Sequence, residues 1–255
     1  MATQLLIYQT ATPVNQRQHG DWFIEAGRDY SFARSVNSVP LMAVEMLNAA
    51  SEYPVVFGGT GDTVNPAVIL GLRGDENLYL NAAGEWQAKY IPAFVRRYPF
   101  VFSSADDGKN FTLCIDQSFP GCNTEGRGEP LFAADGKPSA YTDGVLKFLQ
   151  QYQLEFGRTQ AICKKLKDLN LLVPMQAQVS LDTGERVSLS GFSVVDRARL
   201  KTLSTESLAE LARGDELELI YAHLHSLRNF AAMKERLTPT APTAATSEVV
   251  QAEPA

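Results

Sequence analysis

The sequence predicts an α+β protein with a β-hairpin-rich N-terminal half, read as two similar αβ-hairpin units, and a mainly helical C-terminal half. Three observations carry this reading. Aromatic and β-branched runs divided by Gly- and Asp-containing turns fill the first half. A Tyr-Pro-x-Val-Phe run occurs twice, at Tyr53–Phe57 and Tyr98–Phe102. Beyond Tyr141 apolar residues recur in three- and four-residue steps, the spacing of a helix with one buried face.

In chain order, Leu5 to Thr10 reads as a first strand and Trp22 to Glu25 as a second. Val39-Pro40 after Ser38 suits a helix start, and Leu41, Val44, Leu47 and Ala50 would give a helix over about 40–51 its apolar face. The Tyr53–Phe57 strand, the turn Gly58 to Thr63 and the aliphatic run Ala67 to Leu72 make a hairpin, followed by a strand at Asn77 to Leu80. Tyr90 to Phe102 holds five aromatics, two prolines and the Arg96-Arg97 pair, and the chain is read as organised around it. Proline opens helices readily and disfavours helix in the residue before it, so Pro92 to Arg97 is a short helix that ends before Pro99. Phe100 to Phe102, a turn around Asp107-Gly108 and Phe111 to Asp116 form the second hairpin. The order of helix, Tyr-Pro strand, turn and strand therefore occurs twice, and the two units are placed side by side in one sheet. Duplication and common burial demands both account for it.

Gly121 to Pro138 is a Gly- and Pro-rich loop. A helical region over 141–169 follows, its stripe of Val145, Leu149, Tyr152, Phe156, Cys163 and Leu166 interrupted at Thr159, with Gly157 a point of kinking or division. A hairpin of Met175–Leu181 and Arg186–Val195 comes next. Helices over 196–203 and 204–212, the second capped by Ser204, lead to a last helix over 215–237. Thr238 to Ala255, rich in Thr, Pro and Ala, lacks the apolar content to build a core and is read as a disordered tail behind one folded domain, residues 1–237.

Composition bounds the function. A net charge of −6 argues against non-specific nucleic-acid binding, and no nucleic-acid partner is expected. No apolar run approaches the roughly 20 residues of a membrane-spanning helix. The opening MATQLLIYQT has no signal-peptide pattern, so cytoplasmic residence is the default and signal-less export to the cell surface the alternative. Cys114, Cys122 and Cys163 lack metal-ligand spacing and read as free thiols. His223 and His225, two apart on a helix, point about 200° apart and cannot share an ion. No metal and no cofactor are therefore expected.

The remaining motifs are weak. Gly58 to Gly61 lacks the Lys-Ser/Thr ending of a nucleotide loop and reads as a hairpin turn. Asp106-Asp107 sits at a loop tip, and Asp75, Glu76, Asp116 and Glu129 are dispersed carboxylates that only the fold could bring together. The candidate ligand-binding residues are Arg96, Arg97, Tyr90 and Tyr98, since guanidinium groups among rings make cation–π contacts or hold a carboxylate in two-point fashion. Adjacent helical residues point about 100° apart. One arginine is thus expected to meet an internal acid and the other to reach solvent or a ligand.

Several ordered blocks are shared with one family. They are Tyr53–Phe57, Gly71–Trp86, Tyr90–Phe102, the Cys114-Ile115-Asp116 strand, Gly191–Leu200 and Leu217–Leu227. Over about Ala26 to Leu237 the chain resembles the SapC family. That resemblance implies a bacterial protein from a family named for a component associated with paracrystalline surface layers, and carries no catalytic motif. The function expected is a non-catalytic accessory or binding protein of the surface layer or envelope, with a protein or peptide partner. The alternatives are an enzyme acting on a peptide or small molecule through dispersed Asp, Glu, Arg and Tyr, and a cytoplasmic adaptor for an exported or modified protein.

Overall fold

The structure, a computed structural model, describes residues 6–59, 63–104, 110–180 and 186–237. The expected tail, the Asp106-Asp107 loop tip and the turn Asp182–Glu185 lie outside the described residues.

The N-terminal half is built of short strands. β1 (Ala11–Pro13) precedes a helical turn, α1 (Gln16–His19), and β2 (Phe23–Ile24). β3 (Ser38–Pro40) leads through a 3₁₀ turn, Ala43–Glu45, into α2 (Met46–Ala49). The first Tyr-Pro run opens β4 (Val55–Gly58), which forms a hairpin with β5 (Asn65–Ile69). Gly59 is needed at this turn: its φ is +143°, and a Cβ there would fall 2.0 Å from the Thr63 carbonyl oxygen. α3 (Ala93–Arg96) and the second Tyr-Pro run open β6 (Phe100–Ser104), paired with β7 (Phe111–Asp116). Two-residue strands β8 (Cys122–Asn123) and β9 (Glu129–Pro130) flank β2.

The C-terminal half opens with α4 (Ala140–Asp168), capped by Ser139, whose hydroxyl accepts from the Thr142 N–H. β10 (Leu172–Ser180) and β11 (Arg186–Val195) form a long hairpin. α5 (Arg197–Lys201), α6 (Thr205–Arg213), α7 (Glu216–Ser226) and α8 (Asn229–Leu237) follow. Asp196 and Ser204 cap α5 and α6.

Among the described residues the strands form a five-stranded sheet in the order β10-β11-β4-β5-β3 and two three-stranded sheets, β1-β7-β6 and β8-β2-β9. The α+β class and the helical C-terminal half are as the sequence predicts. Several details differ. The two Tyr-Pro hairpins lie in different sheets rather than side by side in one. The first strand is Ala11–Pro13, not Leu5–Thr10, because β1 is defined by its pairing with β7 about a hundred residues on. Ser38–Pro40 is an edge strand rather than a helix start, and proline is tolerated at an edge. In the helical segment behind it Val44 is 61% exposed and Leu47 49%, while Met42, Met46 and Ala49 are buried. Of the expected apolar stripe, Leu41 and Ala50 are buried, and only Val44 and Leu47 face outward. Asn77–Leu80 makes a single bridge, Leu80 to Trp86, instead of a strand.

α4 runs through Gly157 as one helix. Thr159 does not weaken it: its hydroxyl donates to the Glu155 carbonyl (2.7 Å) and accepts from the Ala43 N–H (2.9 Å), tying α4 to the 3₁₀ turn. The last helix is two, α7 and α8, and the break places the Asn229 amide on the Ala50 and Tyr53 carbonyls, both at 2.9 Å.

Burial divides between two clusters. The larger joins the five-stranded sheet to α2, α4 and α7 through Met46, Val55, Phe57, Cys163 and Ile220. The smaller holds Ile24, Phe100, Ile115, Leu131 and Leu149. Val95 belongs to the first and Phe100 to the second, so the stretch between them crosses from one core to the other.

Candidate functional site

That crossing forms one wall of a cleft of about 510 Å³. Val95 to Phe100 lie along it, Ile24 faces it from β2, Tyr30 and Phe32 from the segment that follows, Phe119 from the loop after β7, and Tyr141, Gly144, Val145 and Phe148 from α4. Pockets of roughly 300–1,000 Å³ at the junction of two packed bodies are common ligand sites. The lining is largely aromatic.

Tyr98 is the hub. Its ring stacks on Phe32 (4.0 Å between centroids, 25° between planes), meets Phe119 edge-on at 5.5 Å and lies 5.3 Å from Tyr8. The Tyr98–Pro99 peptide is cis. Burial, with the Asp116 carboxylate nearby, pushes the Tyr98 hydroxyl up to about 12, and burial does the same for Tyr141. Both hydroxyls are therefore neutral at physiological pH, and the charged residues of the lining are Arg96, Arg97 and Asp29. The Ser31 side chain and N–H bond Asp29 and hold its carboxyl below the ordinary range.

The two arginines divide as their 100° separation requires, but neither meets an acid. Arg96 is exposed; its Nε donates to the Ile91 carbonyl (2.9 Å), and its guanidinium lies 5.5 Å from the Phe148 ring and 5.9 Å from Tyr90. Arg97 is half-buried, with its guanidinium 4.2 Å from Phe94, 4.9 Å from Tyr152 and 5.6 Å from Tyr8. Its Nε is buried and makes no hydrogen bond. Among the described residues neither forms an ion pair, which corrects the expected acid partner. Two guanidinium groups against one carboxylate, Asp29, leave the described lining with a net positive charge in an acidic chain.

Tyr90 stands apart. It is not part of the lining; its hydroxyl donates to the buried Glu45 carboxylate at 2.7 Å. The same Glu45 Oε1 accepts from the Ala93 N–H (2.7 Å), and Oε2 accepts from the Met42 N–H (2.9 Å). Glu45 thereby ties the first turn of α3 to the 3₁₀ turn and fixes where Arg96 and Arg97 begin. Sequence reasoning missed Glu45, since only its neighbours in space mark it.

The other candidates do not converge on the cleft. Asp116 is buried, which works to raise its pKa. Hydrogen bonds from the Gln9 N–H, Ser118 and the Thr10 N–H outweigh this and hold the carboxyl below its usual range. It pins the N-terminal segment to β7. Glu76 pairs with Arg73 at 2.9 Å, while Asp75 and Glu129 are exposed. His223 is buried and His225 exposed. His223 Nδ1 donates to the Val55 carbonyl (2.8 Å), and Nε2 accepts from the Val195 N–H (3.0 Å). Among the described residues no three His, Cys, Asp or Glu side chains are grouped to hold a metal, and no helix is long and apolar enough to cross a membrane.

A family profile described as SapC matches residues 14–233. The chain belongs to the SapC family. The SapC match takes in every residue that lines the cleft, from Ile24 to Phe148. No curated protein and no solved structure matches the chain.

Proposed function

We propose that this SapC-family chain is a non-catalytic accessory protein of the bacterial surface layer or cell envelope that holds a protein or peptide partner in the aromatic cleft. The observation that carries this reading is the lining itself. Rings and guanidinium groups recognise apolar and anionic groups. Among the described residues the lining holds one carboxylate, on Asp29, with no second acid to share proton transfer with. The envelope context comes from family membership, and the partner class from the open, ring-lined shape.

Gly144 supplies the test. Gly144 lies on the lining, and a Cβ at this position meets nothing within 4 Å, so Gly144→Phe is the substitution chosen to obstruct the cleft, with the thermal midpoint as the control for folding. Solubilised surface-layer and envelope fractions of the source bacterium are passed over the immobilised protein, the retained component is identified, and its affinity is measured for both forms. The expected result is an envelope component bound by the wild type and lost by Gly144→Phe at unchanged thermal midpoint. Equal retention by the two forms would remove the cleft as the site. A retained component that is turned over would replace the accessory role with an enzymatic one.

A further inference from the structure

Resting on the reading of the cleft as the binding site, we infer that its ligand is the C-terminus of a polypeptide ending in an aromatic or large aliphatic residue, with the terminal carboxylate on Arg96 and the side chain among the rings. Three features lead there. The Arg96 guanidinium is oriented before any ligand arrives, because its Nε is bonded to the Ile91 carbonyl and its face lies against Phe148, a residue of the cleft wall. The edge bearing the two terminal nitrogens, with Tyr90 beside it, has no carboxylate partner among the described residues and has the geometry that accepts both oxygens of a carboxylate. Arg97, caged by rings with an unbonded Nε, adds a second positive charge along the same wall. The carboxylate is drawn to this pair and held off Asp29 on the lining.

The short distance between charge and ring selects the terminus over an internal acid. The Arg96 guanidinium stands 5.5 Å from the Phe148 ring, so anion and apolar group must be presented within the reach of one residue. A C-terminal residue carries both on one Cα. In an extended peptide, neighbouring side chains point to opposite faces, which turns an adjacent Asp or Glu away from the pocket that takes the ring.

The test is calorimetric titration of the full chain with three peptides: N-acetyl-Gly-Leu-Phe with a free carboxylate, its C-terminal amide, and N-acetyl-Asp-Leu-Phe amide. A charge-assisted bond to a carboxylate predicts that the free acid binds about tenfold or more tightly than the amide. Arg96→Gln should bring that ratio close to one while leaving the unfolding midpoint in place, and Gly144→Phe should abolish binding of all three. Equal affinity for acid and amide, no binding of the free acid, or an aspartyl peptide as tight as the free acid each overturns the inference. If Gly144→Phe still releases the envelope component, the cleft remains the binding site and only its ligand class has been misassigned.

Discussion

The two Tyr-Pro-x-Val-Phe runs start from nearly the same five residues and end in opposite roles. Tyr53 is wholly buried; its hydroxyl accepts from Trp86 Nε1 at 2.8 Å and donates to the Tyr90 carbonyl. Val55 behind it is clamped by the Ser226 hydroxyl on its N–H (3.0 Å) and His223 on its carbonyl, in a strand with neighbours on both sides. Tyr98 is half-buried at the cleft, and β6 behind it is an edge strand of a three-stranded sheet. The local pattern specifies a hairpin in both places. Whether that hairpin becomes core or cleft wall depends on what covers it: α7 and β11 for the first, the loops around Phe32 and Phe119 for the second.

The largest test of this contrast is Phe100→Ala. Phe100 is 2% exposed in the smaller core and meets Tyr141 edge-on at 6.0 Å. Removing it should cost about 3–5 kcal/mol through lost burial and a residual cavity, read by denaturant unfolding. A neutral outcome would mean that the second unit is wall only and anchors nothing.

Acid should act on the first unit instead. Burial lowers His223 from its ordinary value to about 4, because a charged ring would be desolvated and its Nε2 must stay unprotonated to accept from Val195. The folded pKa is below the unfolded one, so the unfolded chain takes up the proton first as pH falls. Stability attributable to His223 is intact above about pH 6.5 and is lost progressively towards pH 4, a change of about 3 kcal/mol by linkage. His19, also lowered by burial, contributes with the same sign. An NMR titration of the His223 ring checks the assignment, with amide exchange of Val55 and Val195 rising in step. A ring that titrates near its ordinary value would break it.

What the sequence revealed follows from how local each signal is. The two Tyr-Pro hairpins, the cap at Ser204 and the 3.6-residue stripe of α4 are set by neighbours in the chain and are legible in it. β1 and β3 are too short to carry a pattern and exist through their partners β7 and β5, whereas the Trp22–Glu25 run did mark β2. The division of α7 from α8 has no glycine or proline to announce it; it is fixed by Asn229 reaching Ala50 and Tyr53. For the cleft, the Arg96-Arg97 pair among aromatics drew attention to one wall. The opposing rings, Tyr30, Phe32, Phe119, Tyr141 and Phe148, come from three separate segments whose meeting only the fold decides. Tyr90 shows the converse error, an aromatic beside the arginines that serves Glu45 and not the cleft.

The finest comparison is between the two arginines, adjacent in sequence and unequal in surroundings. Arg97 lies among three rings, and cation–π contacts contribute roughly 0.5–1 kcal/mol when exposed and about 2 when desolvated. Arg97→Gln should therefore lower stability by about 1–2 kcal/mol in urea unfolding. Arg96 is exposed and holds one backbone carbonyl, so Arg96→Gln should change stability by less than about 0.5 kcal/mol. A loss from Arg96→Gln as large as that from Arg97→Gln would make Arg96 part of the framework that fixes α3 against Ile91, and its guanidinium would not be available to a ligand. A near-zero change at Arg96 beside a clear loss at Arg97 leaves the division intact: one arginine holds the wall of the cleft together, and its neighbour is free to meet what enters it.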